Sequence, residues 1–274
     1  MTRKLFCEIH PVCYRISVAK CRLVRYLKDI FSSERFSYIR QEEKLPVLLY
    51  EHKSLIRRKL GNVDLQLQEN KAVNLSLAVP KVNGIIIRPG ETFSFWHLVG
   101  KTSEKKGYRQ GLVISRNVPE KGIGGGMCQF TNLIHWMILH SPLKVTERHH
   151  HDRYDLFPDF GRQVPFGTGT SIMYNYLNYR VKNNTDQTFQ LVTWVTDTHL
   201  CGELRCERPL EYSYHITCED EFFSREGEAV YRNGRVSLSV FDKEKGNLIK
   251  KELLQENHAK VLYDTEGLTV REKR

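Results

Sequence analysis

Apolar residues recur at helical spacing through residues 14–31, YRISVAKCRLVRYLKDIF. Ile16, Ala19, Leu23, Val24, Leu27, Ile30 and Phe31 carry the repeat, and Arg15, Lys20, Arg22, Arg25 and Lys28 fill the positions between. That pattern predicts a basic amphipathic helix. A second helix is predicted from Pro46 to Leu60. Leu48, Leu49, His52, Leu55 and Ile56 share a face there, Pro46 sits near the start, and Gly61 follows the end. A third helix is predicted over 68–79.

The period then shortens. Asn83-Gly84 and Arg88-Pro89-Gly90 are turn signals around the β-branched run Ile85–Ile87. Thr92–Trp96 and residues 111–118 suit strands. A helix is predicted from Cys128 to near His140, stopping before Ser141-Pro142, and LKVTERHHH after it suits a strand. From Ser171 onward the chain reads as β, with a turn at Asn183–Asp186 between strands. AVYRNGRVSLSVF is predicted to be a hairpin turning at Asn233-Gly234, a pair that suits a type I′ turn. A further turn falls around Lys245-Gly246-Asn247. The expected fold is α+β: N-terminal helices and a cysteine-bearing helix packed on an antiparallel sheet, with a C-terminal β-hairpin region. The expected division is a basic helical region over 1–66, an α+β core over 67–208 and a β-rich appendage over 209–274.

Charge adds a second layer. The 274 residues carry a net charge of +10. Residues 1–60 hold 14 Lys and Arg against 6 Asp and Glu, a difference of +8. This favours an anionic partner or surface. No zinc finger, helix-turn-helix or ribonucleoprotein signature appears, so nucleic acid is not expected. The amphipathic helix suits an anionic membrane surface, although packing on its own domain is the commoner use of such a helix. No run approaches the ~18 apolar residues of a membrane span, and the first thirty residues lack an apolar signal core. Seven cysteines in no framework fit a reducing compartment and no disulfides. The expected location is the cytoplasm, with the membrane's inner face as an extension of it.

The stretch IGGGMCQFTNLIHW, residues 123–136, concentrates the chemistry. Gly124, Gly125 and Gly126 permit positive φ and close backbone approach. The helix that follows presents free N–H groups and the positive end of its dipole. Cys128 at that start is expected to be mostly thiolate at neutral pH, with the N–H groups near Cys128 and Gln129 as an oxyanion hole. A thiol nucleophile needs a base. A helix over 128–140 climbs about 18 Å, and a strand over 143–149 returns about 20 Å, which brings His149 level with Cys128. Strand alternation puts His149 and His151 on one face and His150 on the other. His149 is therefore the first candidate base and His151 the second, and Gln129 can add a side-chain donor. His135 reads as a satisfied helix histidine. No cofactor or metal is expected. Adjacent histidines diverge in a strand, and Cys201, Cys206, His215 and Cys218 lack zinc spacing.

With these residues in view, the chain resembles the VanW family over roughly 70–200. The resemblance rests on RPGETFSFW (88–96), VGKTSEKKGY (99–108), GIGGGMCQ (122–129), ERHHHD (147–152) and VKNNTDQTF (181–189). It implies a role at the bacterial cell envelope, in glycopeptide (vancomycin) resistance, and it names no reaction. The family positions carried over are Gly124, Gly125, Gly126, Cys128, Gln129, Arg148, His149 and His151. Many relatives have Asp-Ala-Thr where this chain has Gly169-Thr170-Ser171, so if that Asp orients the histidine in relatives, this chain uses another group or has lost the chemistry. Asp152, Asp155 and Asn175 are the candidates. Three readings result. One is cysteine-dependent acyl transfer or amide hydrolysis on a cell-wall precursor or peptide. Another is a non-catalytic accessory protein whose glycine loop, with Arg148, binds an anion or precursor. The third is a peripheral membrane adaptor acting through the basic N-terminal helix.

Overall fold

The computed structural model describes residues 5–57, 64–115, 118–150, 153–159 and 163–272. Its helices are α1 (Phe6–Ile9), α2 (Pro11–Ile30), α3 (Leu65–Ala78), α4 (Phe95–Val99) and α5 (Met127–Ile138). The strands are β1 (Arg35–Phe36), β2 (Val47–Leu55), β3 (Ile85–Ile87), β4 (Glu91–Ser94), β5 (Gln110–Ser115), β6 (Val118–Ile123), β7 (Lys144–Glu147) and β8 (Tyr154–Asp155). They continue with β9 (Arg180–Lys182), β10 (Phe189–Val195), β11 (His199–Cys206), β12 (Tyr212–Glu226), β13 (Ala229–Asp242), β14 (Leu248–Val261) and β15 (Val270–Glu272). The fold is α+β.

Two four-stranded sheets, ordered β2-β11-β10-β3 and β1-β4-β9-β7, form the centre. A five-stranded sheet, β15-β12-β13-β14-β8, holds the long C-terminal strands, and β5 pairs with β6 as a hairpin. Most pairings are antiparallel. The main core joins Leu75 and Ala78 of α3 to Phe130, Leu133, Ile134 and Met137 of α5. Ile85, Phe93, Phe189, Leu191, Leu200 and Leu204 of the sheets complete it. Helix α5 crosses the first sheet at Gly202. A Cβ there would lie 2.7 Å from Met137 Cε and 2.8 Å from Leu133 Cδ2, so only glycine lets the helix sit this close.

Several expected elements differ. The helix expected from Pro46 is strand β2 along the edge of the first sheet, and residues 58–60 lie outside the described part. Pairing with β11 from His199–Leu55 to Cys206–Val47 outweighs a weak helical pattern. Leu48 and Leu55, placed above on one helix face, are exposed. The hairpin expected at Asn233-Gly234 is also absent. Both residues lie inside β13, and the turn comes earlier, at Gly227, whose φ is +61°. Asn233 pairs with Phe222 beside a bulge in β12 between Glu219 and Phe222. Asp220, at φ +53°, supplies the left-handed residue on that bulge. Thr92–Trp96 divides into strand β4 and the start of α4.

Helix α2 begins at a His10 side-chain cap with Pro11 in the first turn. It docks by its polar face. Arg25 grips Glu147 of β7 with two bonds of 2.7 and 2.6 Å, and Asp29 accepts from Arg180 of β9 at 2.7 Å. Asp29 also lies 3.0 Å from His97 of α4, and Arg22 donates to the Tyr174 carbonyl at 3.1 Å.

Candidate functional site

The glycine run ends β6 and turns directly into α5. Gly126 caps the helix at φ +106°, a conformation that disfavours any side chain, and a Cβ on it would lie 2.6 Å from Lys71 Cγ. Gly125 packs backbone to backbone, since a Cβ there would stand 2.5 Å from the Gly111 carbonyl carbon. Buried Asn74 ties the turn together. Its Nδ2 donates to the Gly125 and Arg109 carbonyls at 2.9 and 3.0 Å, and its Oδ1 accepts from Arg109 N–H at 2.7 Å. The glycines are thus required by the packing of α3 and β5 against the turn, and the same turn forms part of a cavity wall.

That cavity is about 640 Å³. Its wall includes Gly124–Gly126, Cys128, Gln129, Asn132, His150 and Trp96, and it is closed on another side by the segment from Gln163 to Tyr174. Asn132 follows Cys128 by one helical turn and so shares its face. Asn132 Oδ1 accepts the Thr170 N–H at 2.6 Å and the Thr170 hydroxyl at 2.8 Å, which pins this segment to α5. His150 lies against the same segment, since a Cβ at Gly169 would come 3.1 Å from its Cε1, 3.2 Å from its Nδ1 and 3.8 Å from Asn132 Oδ1.

The candidate residues separate. Cys128, Gln129 and the three glycines share the cavity. His149 does not line it. Its Nε2 lies 3.0 Å from Glu147 Oε1, beside Arg25 and Arg180. Strand β7 ends at Glu147, so the alternation argument stops two residues short of His149, and His150 faces the cavity instead. His151 and Asp152 lie outside the described residues. Arg148 donates to the Gly167 carbonyl and, at 3.1 Å, to the Gly169 carbonyl, so it clamps the cavity segment from behind. Gln129 Nε2 donates to Ser54 Oγ and to the Leu55 carbonyl, both at 2.9 Å. Those bonds use both amide hydrogens to hold α5 to β2, which removes Gln129 as a side-chain oxyanion donor. Asp155 is bound to Arg232 at 3.3 Å and to the Tyr263 hydroxyl at 2.9 Å. Asn132 was missed by the sequence reading, although its position four residues after the cysteine on the same helix was a usable signal.

The thiol differs in charge from the expectation. Burial pushes the Cys128 thiol above the ordinary range, and the N–H groups of Ile172 and of Cys128 itself pull the other way without overcoming it. That direction favours the neutral thiol at rest. All seven cysteines are free. Behind the site, buried His135 Nδ1 lies 3.0 Å from the Tyr179 hydroxyl. Burial drives His135 well below the usual histidine value, with Arg148 and His150 acting in the same direction. Cys201 and Cys206 lie on β11, whereas His215 and Cys218 lie on β12 of another sheet.

The arrangement is a glycine-lined helix start with a cysteine, an asparagine and a histidine lining one cavity, set in an α+β fold. The VanW like protein family matches over residues 70–205. The chain is 30% identical over 263 residues to vancomycin B-type resistance protein VanW of Enterococcus faecalis, covering 96% of this chain and 95% of that protein. It is 26% identical over 119 residues to uncharacterized protein YoaR of Bacillus subtilis, covering 43% of this chain and 37% of that one. No solved structure matches. This chain belongs to the VanW family.

Proposed function

We propose that this chain serves vancomycin resistance by cysteine-dependent acyl transfer or amide hydrolysis on a peptide-like cell-wall precursor. The resistance context comes from the Enterococcus relative, whose name states it and whose length this chain matches almost throughout. The observation that carries the chemistry is that Cys128, Asn132 and His150 line one cavity.

In this reading Cys128 Sγ attacks the acyl carbon, and its proton passes to the His150 imidazole as the S–C bond forms. The tetrahedral oxyanion is held by the N–H groups at the helix start and by that of Ile172. Collapse breaks the C–N bond, and the leaving amine takes the proton from His150. Water or an acceptor amine then attacks the thioester, gives up its proton through His150, and restores the thiol. A neutral resting thiol suits this order, because the base acts during attack and no ion pair need form beforehand.

A second reading is a non-catalytic precursor-binding protein. It is favoured by the burial that raises the Cys128 thiol and by the commitment of Gln129 to β2. Cys128→Ser separates the two in cells that depend on this chain for growth on vancomycin. Loss of growth supports the chemistry. Growth equal to the parent's overturns it and leaves the binder.

A further inference from the structure

Helix α2 is inverted relative to an ordinary surface helix. Tyr14, Val18, Arg22, Arg25 and Asp29 lie on one face, and that face meets the protein through the ion pairs already described. The opposite face carries Ile16, Leu23, Leu27 and Ile30 of the apolar stripe read from the sequence, with Val12 added at its start. Ile16, Leu23, Leu27 and Ile30 are 53, 58, 42 and 55% exposed, and no residue of the helix is buried. Phe6 and Ile9 of α1 extend the exposed apolar surface. A soluble helix normally turns such a stripe inward, and an exposed apolar surface of this extent marks an interaction site.

The charges indicate what covers it. Arg15, Lys20 and Lys28 are exposed on or beside the stripe. The only acidic residue of α2 is Asp29, and it points inward to Arg180 and His97. An apolar stripe bordered by cations and free of carboxylates complements a bilayer surface with anionic headgroups. The helix is about 30 Å long, long enough to lie along an interface. Among the described residues no helix is long and apolar enough to cross a membrane.

We propose that α2 docks this protein on an anionic lipid bilayer, with Ile16, Leu23, Leu27 and Ile30 inserted at the interface and Lys20 and Lys28 at the headgroups. Arg22, on the inner face of the same helix, lines the Cys128 cavity, so docking would bring that cavity beside the membrane. The inference is independent of the chemistry at Cys128 and does not fall with it.

Flotation of the full chain with two vesicle types tests it: phosphatidylcholine alone, and phosphatidylcholine mixed with phosphatidylglycerol. The protein is expected to float with the mixed vesicles and far less with the neutral ones. Leu23→Glu with Leu27→Glu should lower binding to mixed vesicles about tenfold or more. Thermal unfolding of that variant should be unchanged, because both positions are exposed. Lys20→Glu with Lys28→Glu leaves the apolar stripe intact, and should weaken binding about fivefold per charge and flatten its salt dependence. The proposal is overturned if the parent protein stays with neither vesicle. It is equally overturned if both variants float like the parent. A dimer in sedimentation that Leu23→Glu with Leu27→Glu dissociates, with no vesicle binding, would give the stripe to a second copy and also overturn it.

Discussion

Asn132 and Thr170 are joined twice, the asparagine Oδ1 accepting the Thr170 N–H at 2.6 Å and its hydroxyl at 2.8 Å. One side chain on α5 thereby fixes the segment that brings the Ile172 N–H to the Cys128 thiol and packs Gly169 on His150. Removing it leaves a part-buried amide and hydroxyl without that acceptor. Asn132→Ala is expected to cost about 2 kcal/mol, read from denaturant unfolding. Its larger effect should be local. Amide exchange over 168–172 should accelerate more than in α3, and equal acceleration in both would deny Asn132 its pinning role.

The glycine turn makes a sharper contrast. Gly125→Ala drives a Cβ to 2.5 Å from the Gly111 carbonyl carbon and 2.7 Å from Leu112 N, where only backbone can yield. The expected cost is about 3 kcal/mol or more. Gly227→Ala meets nothing within 4 Å and faces only its φ of +61°, so about 1 kcal/mol is expected. Paired unfolding curves with the two costs equal would mean that the turn at Gly125 yields more easily than its packing implies.

Acid should destabilise the fold in two stages. His135 stays neutral in the folded chain because burial lowers its pKa. The unfolded chain takes up that proton near pH 6.5, so it binds more protons, and stability falls as pH drops below about 6.5. Glu147 follows at lower pH. Burial opposes its ionisation, but His149, the Asn178 N–H, Arg25 and Arg180 together hold its carboxyl below the ordinary range. Its contribution is complete above the unfolded value of about 4.3 and is lost as pH falls through the lower folded one. Melting temperatures across pH should show both stages, and His135→Asn should shrink the first, to which buried His97 and His140 also contribute, while leaving the second unchanged. An unchanged first stage in that variant would assign it to another group.

Where local pattern and tertiary demand coincide, the elements were legible. The stripe of α2, the Gly126-to-α5 transition and the turn at Gly246 follow from spacing and glycine chemistry. Strand β2 was not legible, because its apolar residues satisfy a weak helical repeat and only pairing with β11 decides the matter. Asn233-Gly234 carries a turn signal that a bulge in the neighbouring strand absorbs. At the site, the cysteine and its helix were readable. The choice among His149, His150 and His151 was not, because β7 ends at Glu147 and the ladder that sets alternation ends with it. The charge of the Cys128 thiol was misread for a related reason. Helix position is visible in sequence, but the segment from 163 to 174 that buries the sulfur is distant along the chain.

Burial also sets an order of reactivity. Burial raises the Cys128 thiol and favours its neutral form, whereas Cys21 is exposed on α2. Limiting iodoacetamide at neutral pH should therefore label Cys21 first, with Cys128 following only at higher pH. Peptide mapping that finds Cys128 labelled first at neutral pH would show an ionised thiol and contradict the neutral resting state.

The central claim is that His150 serves Cys128 across the cavity, and the acylation rate of Cys128 by a small activated ester at neutral pH tests it most directly. Intact-protein mass spectrometry reads the thioester, and Cys128→Ser supplies the blank. The account predicts that His150→Ala slows acylation by about 10²-fold or more, while His149→Ala, which loses only its contact with Glu147, leaves the rate within about twofold. Equal rates in the parent and in His150→Ala, or a loss confined to His149→Ala, would contradict it.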